Sequence, residues 1–247
     1  MKFSLIIPMW NEEKNISLLV KSIVDVDLPH KGMHELILVN NGSTDQTEFI
    51  IAEMARKYSW ITPVQIKSNL NYGGGIYEGC KYATCDIFCY IPGDLQVMPN
   101  DVLNVFTKFL EHRDKQTTLF IKGFRSTRYD PWQTRITSKI YTFLANKILN
   151  LNMKDVNGLP KMFHRSLLDQ LPYERMKTFV FDSQLLSIAR VNKWTIIEIP
   201  VTFHSRREGV SSWSKKRIYT YIKSLVQLFR LRSLIGATKD PIKYFRH

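Results

Sequence analysis

Along the first hundred positions apolar residues come in short continuous runs, each followed by a polar cluster and then by apolar positions at helical spacing. Phe3-Ser4-Leu5-Ile6-Ile7 stops at Pro8, and after Asn11-Glu12-Glu13-Lys14-Asn15 the residues Ile16, Leu19, Val20, Ile23 and Val24 recur every three or four positions. That spacing predicts a helix with an asparagine to cap it and acidic residues in its first turn. Residues 36–39 (Leu-Ile-Leu-Val) form a second strand-length run, ending in Asn40-Asn41-Gly42-Ser43-Thr44-Asp45 and a helix through Met54. Residues 64–66 read as a third strand, and 69–75 (Asn-Leu-Asn-Tyr-Gly-Gly-Gly) lead into a helix near 76–83. Residues 86–91 form a fourth strand that runs into Pro92-Gly93-Asp94-Leu95-Gln96. Strands that are continuously apolar, not alternating, predict a mostly parallel sheet buried on both faces and flanked by helices, hence an α/β fold. In such sheets ligands lie outside the carboxyl ends of the strands. The polar clusters 8–15, 40–45, 69–75 and 92–96 all fall there.

The pattern then loosens. Residues 119–121 read as a strand leading into Gly123-Phe124-Arg125-Ser126-Thr127-Arg128, followed by a helix over about 134–149. Two further strands are expected at 161–163 and 195–200, with a helix around 183–191 between them. No internal repeat or low-complexity tract interrupts the chain.

Composition changes this picture at one point. At 44% hydrophobic and 12% aromatic over 247 residues, the chain has ample material for a core, which excludes disorder over most of its length. Three cysteines, Cys80, Cys85 and Cys89, exclude a disulfide scaffold and fit a reducing compartment. The net charge of +13, however, points to an anionic partner. Nine of those thirteen charges lie after residue 205, where eleven Lys and Arg are opposed only by Glu208 and Asp240. Ile218, Tyr221, Ile222, Leu225, Val226, Leu228, Phe229 and Leu231 lie between the basic residues, the pattern of a basic amphipathic helix on an anionic membrane surface. The alternative is a terminal helix packed on the domain with a solvated basic face. No window has the apolar length of a spanning helix, and residues 1–8 lack the apolar stretch of a signal peptide. The expected location is therefore cytoplasmic, peripheral on the cytoplasmic face of a membrane. Nucleic acid is not an expected partner, because no recognisable binding module accompanies the charge.

Taken together, residues 6–13 (Ile-Ile-Pro-Met-Trp-Asn-Glu-Glu), 39–45 (Val-Asn-Asn-Gly-Ser-Thr-Asp), Asn69-x-x-x-Gly73-Gly74-Gly75 and Asp94-Leu95-Gln96-x-x-Pro99 resemble the inverting family-two glycosyltransferases. The nearest branch is that of the dolichol-phosphate mannose synthases and polyprenyl-phosphate glycosyltransferases. The resemblance continues through Arg135, Ser138, Asp155, Lys161-x-Phe163, Phe181-Asp182 and Glu198-x-Pro200-Val201-x-Phe203-x-x-Arg206-x-x-Gly209-x-Ser211. It implies a single GT-A domain over 1–212, with a nucleotide-binding half (1–100), an acceptor-binding half (101–212) and a basic helical extension over 213–247. The implied activity is inverting transfer of a sugar from a nucleoside diphosphate to a polyprenyl phosphate or related membrane-borne acceptor. A glycan acceptor, or a member that binds nucleotide sugar or lipid without turnover, is the alternative.

The resemblance also assigns residues. Pro8, Asn11, Glu13, Asn41, Gly42, Ser43, Asn69, Gly73 and Gly74 would hold the donor nucleotide, and Asp94 with Gln96 a divalent Mg²⁺ or Mn²⁺. Asp94, Asp182 and Arg206 would carry catalysis. Arg125, Arg128, Arg135, Ser138, Asp155 and Lys161 would meet the acceptor and the phosphates, Arg being suited to this by its bidentate fork. For Glu12 the expectation is helix-dipole complementation, and a turn role is the alternative for Asp94. Three departures stand out. Asn40 and Asn41 replace the usual pair of aspartates, so the base is open: uridine or guanosine by default, cytidine not excluded. Pro92 replaces the first aspartate of the metal motif, which should lower metal affinity. Residues 158–163 (Gly-Leu-Pro-Lys-Met-Phe) replace the usual acceptor-loop sequence. The histidines and the three cysteines show no metal spacing.

Overall fold

The structure, a computed structural model, describes residues 1–171, 177–206 and 217–237. Its elements in chain order are β1 (Phe3–Met9), α1 (Ile16–Asp25), β2 (Met33–Asn41), α2 (Thr47–Lys57), β3 (Ile61–Ile66), α3 (Asn71–Cys80), β4 (Ile87–Tyr90) and α4 (Pro99–Glu111). After a 3₁₀ turn come β5 (Leu119–Arg128), α5 (Trp132–Leu149), β6 (Lys161–His164), the one-turn α6 (Ser166–Asp169), α7 (Val180–Val191), β7 (Thr195–Phe203) and α8 (Arg217–Ala237).

The seven strands form one sheet in the order β3-β2-β1-β4-β6-β5-β7. Pairings β1–β2, β2–β3, β1–β4 and β5–β7 are parallel, as the continuous apolar runs predict. β1 and β2 are buried almost throughout, whereas the edge strand β3 alternates and carries Pro63, tolerated where no second neighbour needs its N–H. The chain winds outward from β1 to β3 and then returns to the other side of β1 for β4. The strand order therefore reverses at β1, the point where doubly wound sheets open a ligand crevice.

β6 breaks the parallel pattern. It runs antiparallel to both β4 and β5, with Tyr90 opposite Lys161 and Lys122 also opposite Lys161. Because β6 is reversed, its first residue lies level with the last residue of β4, which brings Lys161 to the crevice end of the sheet.

Several local expectations shift. α4 lies outside the helices expected from the pattern, although Val102, Val105, Phe106 and Phe109 are buried at helical spacing behind Pro99 at its first position. α1 begins only at Ile16, so Glu12 and Glu13 precede it and its first turn holds no acidic residue; Asn15 makes no side-chain cap bond. α3 begins at Asn71, so Gly73, Gly74 and Gly75 lie within the helix, not ahead of it. At Gly79 a Cβ would stand 2.6 Å from Ile6 and 2.7 Å from Val39, so only glycine lets α3 press this closely on β1 and β2. In α8, Leu228 and Leu231 are buried and belong to the core of the domain. Gln227 accepts a 2.6 Å bond from the Thr178 hydroxyl ahead of α7, and Arg232 donates to the Ile148 carbonyl of α5 at 2.7 Å. The packed terminal helix is the arrangement found for the described part of that segment. Lys215, Lys216, Gly209 and Ser211 lie outside the described residues. Among the described residues no helix is long and apolar enough to cross a membrane.

Candidate functional site

Loops at the carboxyl ends of β1, β2, β3 and β4 build one side of the crevice, and hydrogen bonds between loops fix their shape. Asn11, at φ +55°, donates its backbone N–H to Ser43 Oγ at 3.0 Å, and its side-chain carbonyl accepts from Thr44 N–H at 2.8 Å. Glu12 N–H donates to Thr47 Oγ1 at 2.9 Å and Glu13 N–H to Asp45 at 3.3 Å. The Glu13 carboxylate accepts the Gln46 N–H at the mouth of α2, at 3.0 Å. Gly42, at φ +69°, lies so close to the Ser68–Asn69 backbone that a Cβ would come within 2.5 Å of the Asn69 nitrogen. Pro8, Asn11, Glu13, Asn41, Gly42, Ser43 and Asn69 are thus drawn together at the carboxyl ends of these strands.

The amide at position 41 has a structural reason. Its Oδ1 accepts from Leu70 N–H at 2.9 Å while its Nδ2 donates to the Asn71 carbonyl at 3.0 Å, so one side chain holds both sides of the entrance to α3. An aspartate could accept the first bond but would set its second oxygen against a carbonyl. Asn40 is similarly engaged, accepting from Ser43 N–H at 3.0 Å and donating to Gln65 at 2.9 Å. At the start of α3, Gly73 and Gly74 donate their N–H groups to the Lys177 carbonyl, at 2.6 and 3.1 Å.

After β4, Asp94 folds back to accept from Gln96 N–H at 3.2 Å around Leu95, a fully packed residue at φ +60°. A leucine in that conformation costs about 1–3 kcal/mol, strain of the sort that gathers at functional turns. Gln96 is tied to the end of β7, donating through Nε2 to the His204 carbonyl at 3.1 Å and accepting His204 N–H at 2.9 Å. Two residues further on, Arg206 ion-pairs with Glu12 across 194 positions of sequence. Glu12, expected to serve a helix dipole, is therefore part of the crevice. Burial raises the carboxyl pKa of both Glu12 and Asp94, and Asp94 adds to the rise at Glu12, while Arg206 opposes it at both. Arg206 Nε is itself buried without a partner among the described residues.

The other side is organised differently. Asp182, in the first turn of α7, lies 3.0 Å from the ammonium of Lys161 and accepts a 2.6 Å bond from Tyr90 Oη. Lys161 and Lys122 are both 0% exposed. Lys122 reaches Glu198 at 3.0 Å, the Gly123 carbonyl at 2.8 Å and the Asp155 carbonyl. Burial pushes the Lys161 ammonium down to about 8, the attraction of Asp182 offsetting part of the fall, and lowers Lys122 in the same way. Arg125 grips Asp155 with both arms, at 2.6 and 2.7 Å, and this pairing overcomes the effect of burial to hold the Asp155 carboxyl well below the usual range. Arg128 grips Asp130 at 2.9 and 2.5 Å and donates to Ser138 at 2.5 Å, and Arg135 donates to the Asp130 carbonyl at 2.8 Å. Arg125 and Arg128 both stack on Phe203, at 5.1 and 5.6 Å. Arg125, Arg128, Arg135, Ser138, Asp155 and Lys161 are thus gathered on one side of the molecule. Their charges are answered from within the chain.

Between the two sides stands Tyr72, a residue no sequence signal singled out. Its hydroxyl is buried with no hydrogen-bond partner among the described residues. Burial raises its pKa well above the ordinary value, with Asp182 and Asp94 adding to the rise and Arg125 opposing it. A lone hydroxyl within the fields of Asp94, Asp182 and Arg125 lies where the two sides meet. Tyr90 and Lys122 are likewise participants that only the fold reveals, and Glu12 and Glu198, quoted in the sequence motifs without a site role, join them. Among the described residues no group of three His, Cys, Asp or Glu could hold a metal unaided.

A family model described as Glycosyl transferase family 2 matches residues 4–172. The fold is similar to that of glucosyl-3-phosphoglycerate synthase from Mycobacterium tuberculosis. The complex of that enzyme with Mn²⁺, UDP and glucosyl-3-phosphoglycerate aligns at a TM-score of 0.69 and 18% identity, covering 93% of this chain and 80% of the other. Its complex with Mg²⁺ and UDP aligns at 0.67 and 20% identity over 93% and 79% of the two chains. The crystal structure of a mycobacterial protein aligns at 0.68 and 17% identity over 93% and 75%.

Proposed function

This chain belongs to glycosyl transferase family 2, and we propose that it transfers a sugar, with inversion, from a nucleoside diphosphate to a polyprenyl phosphate or related membrane-borne acceptor. The observation that carries the reading is the crevice at the reversal of strand order, with Glu12, Asp94 and Arg206 on one side, Asp182 on the other and Tyr72 between them. UDP in the complexes of the similar synthase supports a uridine donor.

A divalent cation fits the donor side. Glu12 and Asp94 are carboxylates whose pKa values burial raises, with Arg206 the cation that opposes the rise at both. Asp94 and the Gln96 amide oxygen would hold Mg²⁺ or Mn²⁺, the remaining ligands coming from diphosphate oxygens and water. The Mn²⁺ and Mg²⁺ complexes of the similar synthase support this. Bound there, the ion would neutralise the departing diphosphate.

The chain's own groups do the rest. Arg206, paired to Glu12 and in the field of Asp94, supplies a guanidinium for the diphosphate. An acceptor phosphate is already anionic, so its oxygen attacks the anomeric carbon without losing a proton. The bond from that carbon to the nucleoside diphosphate breaks, and the electron pair leaves on the diphosphate. Asp182, held in place by Tyr90 and Lys161, orients the acceptor; for a hydroxyl acceptor it would take the proton.

A second reading has a specific support. The similar synthase is described in complex with phosphoglyceric acid, so a small phosphorylated acid is the competing acceptor. The test is a product assay supplying UDP- and GDP-sugars with Mn²⁺ and either a short-chain polyprenyl phosphate or phosphoglyceric acid. Glycosyl-lipid formation is the expected outcome. Exclusive use of phosphoglyceric acid overturns the polyprenyl assignment, and hydrolysis-free binding without product overturns turnover altogether.

A further inference from the structure

α5 is apolar on the side that faces the protein and again on the side that faces away. Inward, Tyr141, Thr142 and Ala145 are buried, with Tyr141 Oη 2.8 Å from Ser183 Oγ and its ring 5.0 Å from that of Phe179. Outward, Trp132, Ile136, Ile140 and Phe143 are 64%, 47%, 49% and 60% exposed. At 100° per residue these four positions fall within about 80° of one another, so they form one stripe along the helix. Scattered exposed apolar residues are ordinary, but four large ones in line mark a docking surface. α8, packed beside it, exposes Val226 and Phe229 as well, at 63% and 61%.

The charges on the stripe select the occupant. Lys139 and Lys147 are exposed within the same sector, with the Lys147 ammonium 6.0 Å from the Phe143 ring, and Arg135 borders it. The described outward face of α5 carries no acidic residue. Tryptophan and phenylalanine backed by lysines are the composition of a helix lying in the interface of an anionic bilayer. The inward side of the same helix supplies Ser138, bonded to Arg128 at 2.5 Å, so whatever holds α5 also lies beside the acceptor side of the crevice.

We propose that the Trp132–Ile136–Ile140–Phe143 face of α5 docks the enzyme on an anionic lipid surface. The proposal deepens the membrane-borne acceptor reading and rests on it for its purpose. It adds α5 to the basic terminal helix as a membrane contact, since Leu228 and Leu231 of that helix are buried in the core while Val226 and Phe229 stay exposed.

The experiment is flotation of the full chain with phosphatidylcholine vesicles, with and without phosphatidylglycerol, at low and moderate salt. Wild type should float with the anionic vesicles, and bromine-labelled acyl chains should quench a tryptophan signal that is missing from Trp132→Gln. Replacing Ile136, Ile140 and Phe143 together by Gln should weaken partitioning about tenfold or more, with the thermal melt unchanged because none of the three is buried. Lys139→Glu with Lys147→Glu should remove the preference for phosphatidylglycerol. Failure of wild type to bind anionic vesicles at low salt overturns the proposal. So does equal binding by the triple variant, or a wild-type dimer that the triple variant dissociates, which would make a second copy the occupant. The acceptor is judged separately, on a short-chain polyprenyl phosphate in detergent. Vesicle binding without that product leaves the surface standing and removes the acceptor reading; product without vesicle binding does the reverse.

Discussion

On the side of the crevice built by the β1–α1 and β4–α4 loops, Glu12 ion-pairs with Arg206 and Asp94 lies in the field of the same guanidinium. On the opposite side Asp130, Asp155, Asp182 and Glu198 are each answered by a cation of their own, Arg128, Arg125, Lys161 and Lys122. Burial raises the carboxyl pKa at Glu12 and Asp94, whereas at Asp155 burial is outweighed by the paired Arg125 and the pKa falls. The difference is in counter-charge. One side is short of positive charge and suits a cation that arrives with a diphosphate. The other is internally neutral, so an acceptor phosphate there competes with Asp155 and Asp130 for the arginines.

The largest expected effect tests the neutral side. Asp155→Ala leaves the buried Arg125 without its carboxylate partner, and breaking a buried pair in this way costs about 3–5 kcal/mol. Glu12→Gln, which removes a poorly compensated charge, should cost far less in the same denaturant titration. Equal losses would erase the contrast.

Next in size, Asp94→Asn should lower kcat about 10²–10³-fold while leaving the melting temperature unchanged or higher, since it deletes a buried charge. A variant that keeps full turnover, or a wild type that works in excess chelator, removes the metal assignment.

A third effect comes from pH. The Lys161 ammonium is held at about 8 in the native state against an ordinary 10.5. Below about 8 both native and unfolded chains keep the proton; between about 8 and 10.5 the unfolded chain binds more protons, so unfolding free energy contributed by this group rises with pH. The rise is at most about 3 kcal/mol. Chemical denaturation between pH 7 and 10 should show it, and Lys161→Met should flatten it; an unchanged slope in the variant would place the effect elsewhere.

The smallest effect sharpens the amide side. Asn41→Asp sets a carboxylate oxygen against the Asn71 carbonyl and should cost about 1–3 kcal/mol, with nucleotide-sugar affinity falling alongside. A stabilised variant with tighter nucleotide binding would mean that Asn41 reads the base and does not hold the entrance to α3.

Much of the first half was legible. β1, β2 and β4 stand where continuous apolar runs place them, and Pro8, Asn11, Gly42, Ser43, Asn69 and Asp94 converge because their clusters end successive parallel strands. The second half was less so. Its strands were found, but nothing local announces that β6 is reversed, and with it the burial of Lys161 against Asp182. α4, absent from the expected elements, is readable from its own spacing behind Pro99. The arginines at 125, 128 and 135 are recognisable as phosphate-type residues, whereas only the fold shows that Asp130 pairs with Arg128 and Arg135 and that Asp155 pairs with Arg125.

The sequence by itself determined the parallel core and the set of polar loops at its carboxyl end, because hydrophobic runs, helical spacing and strand-end clusters are local and repeat within a few residues; the family follows from the motifs those loops carry. Tertiary structure decided how charge is shared. Arg206 meets Glu12 across 194 positions and Tyr90 meets Asp182 across 92. Such pairs follow from strand order and from which faces of the helices are covered, and the same reason leaves one stripe of α5 uncovered.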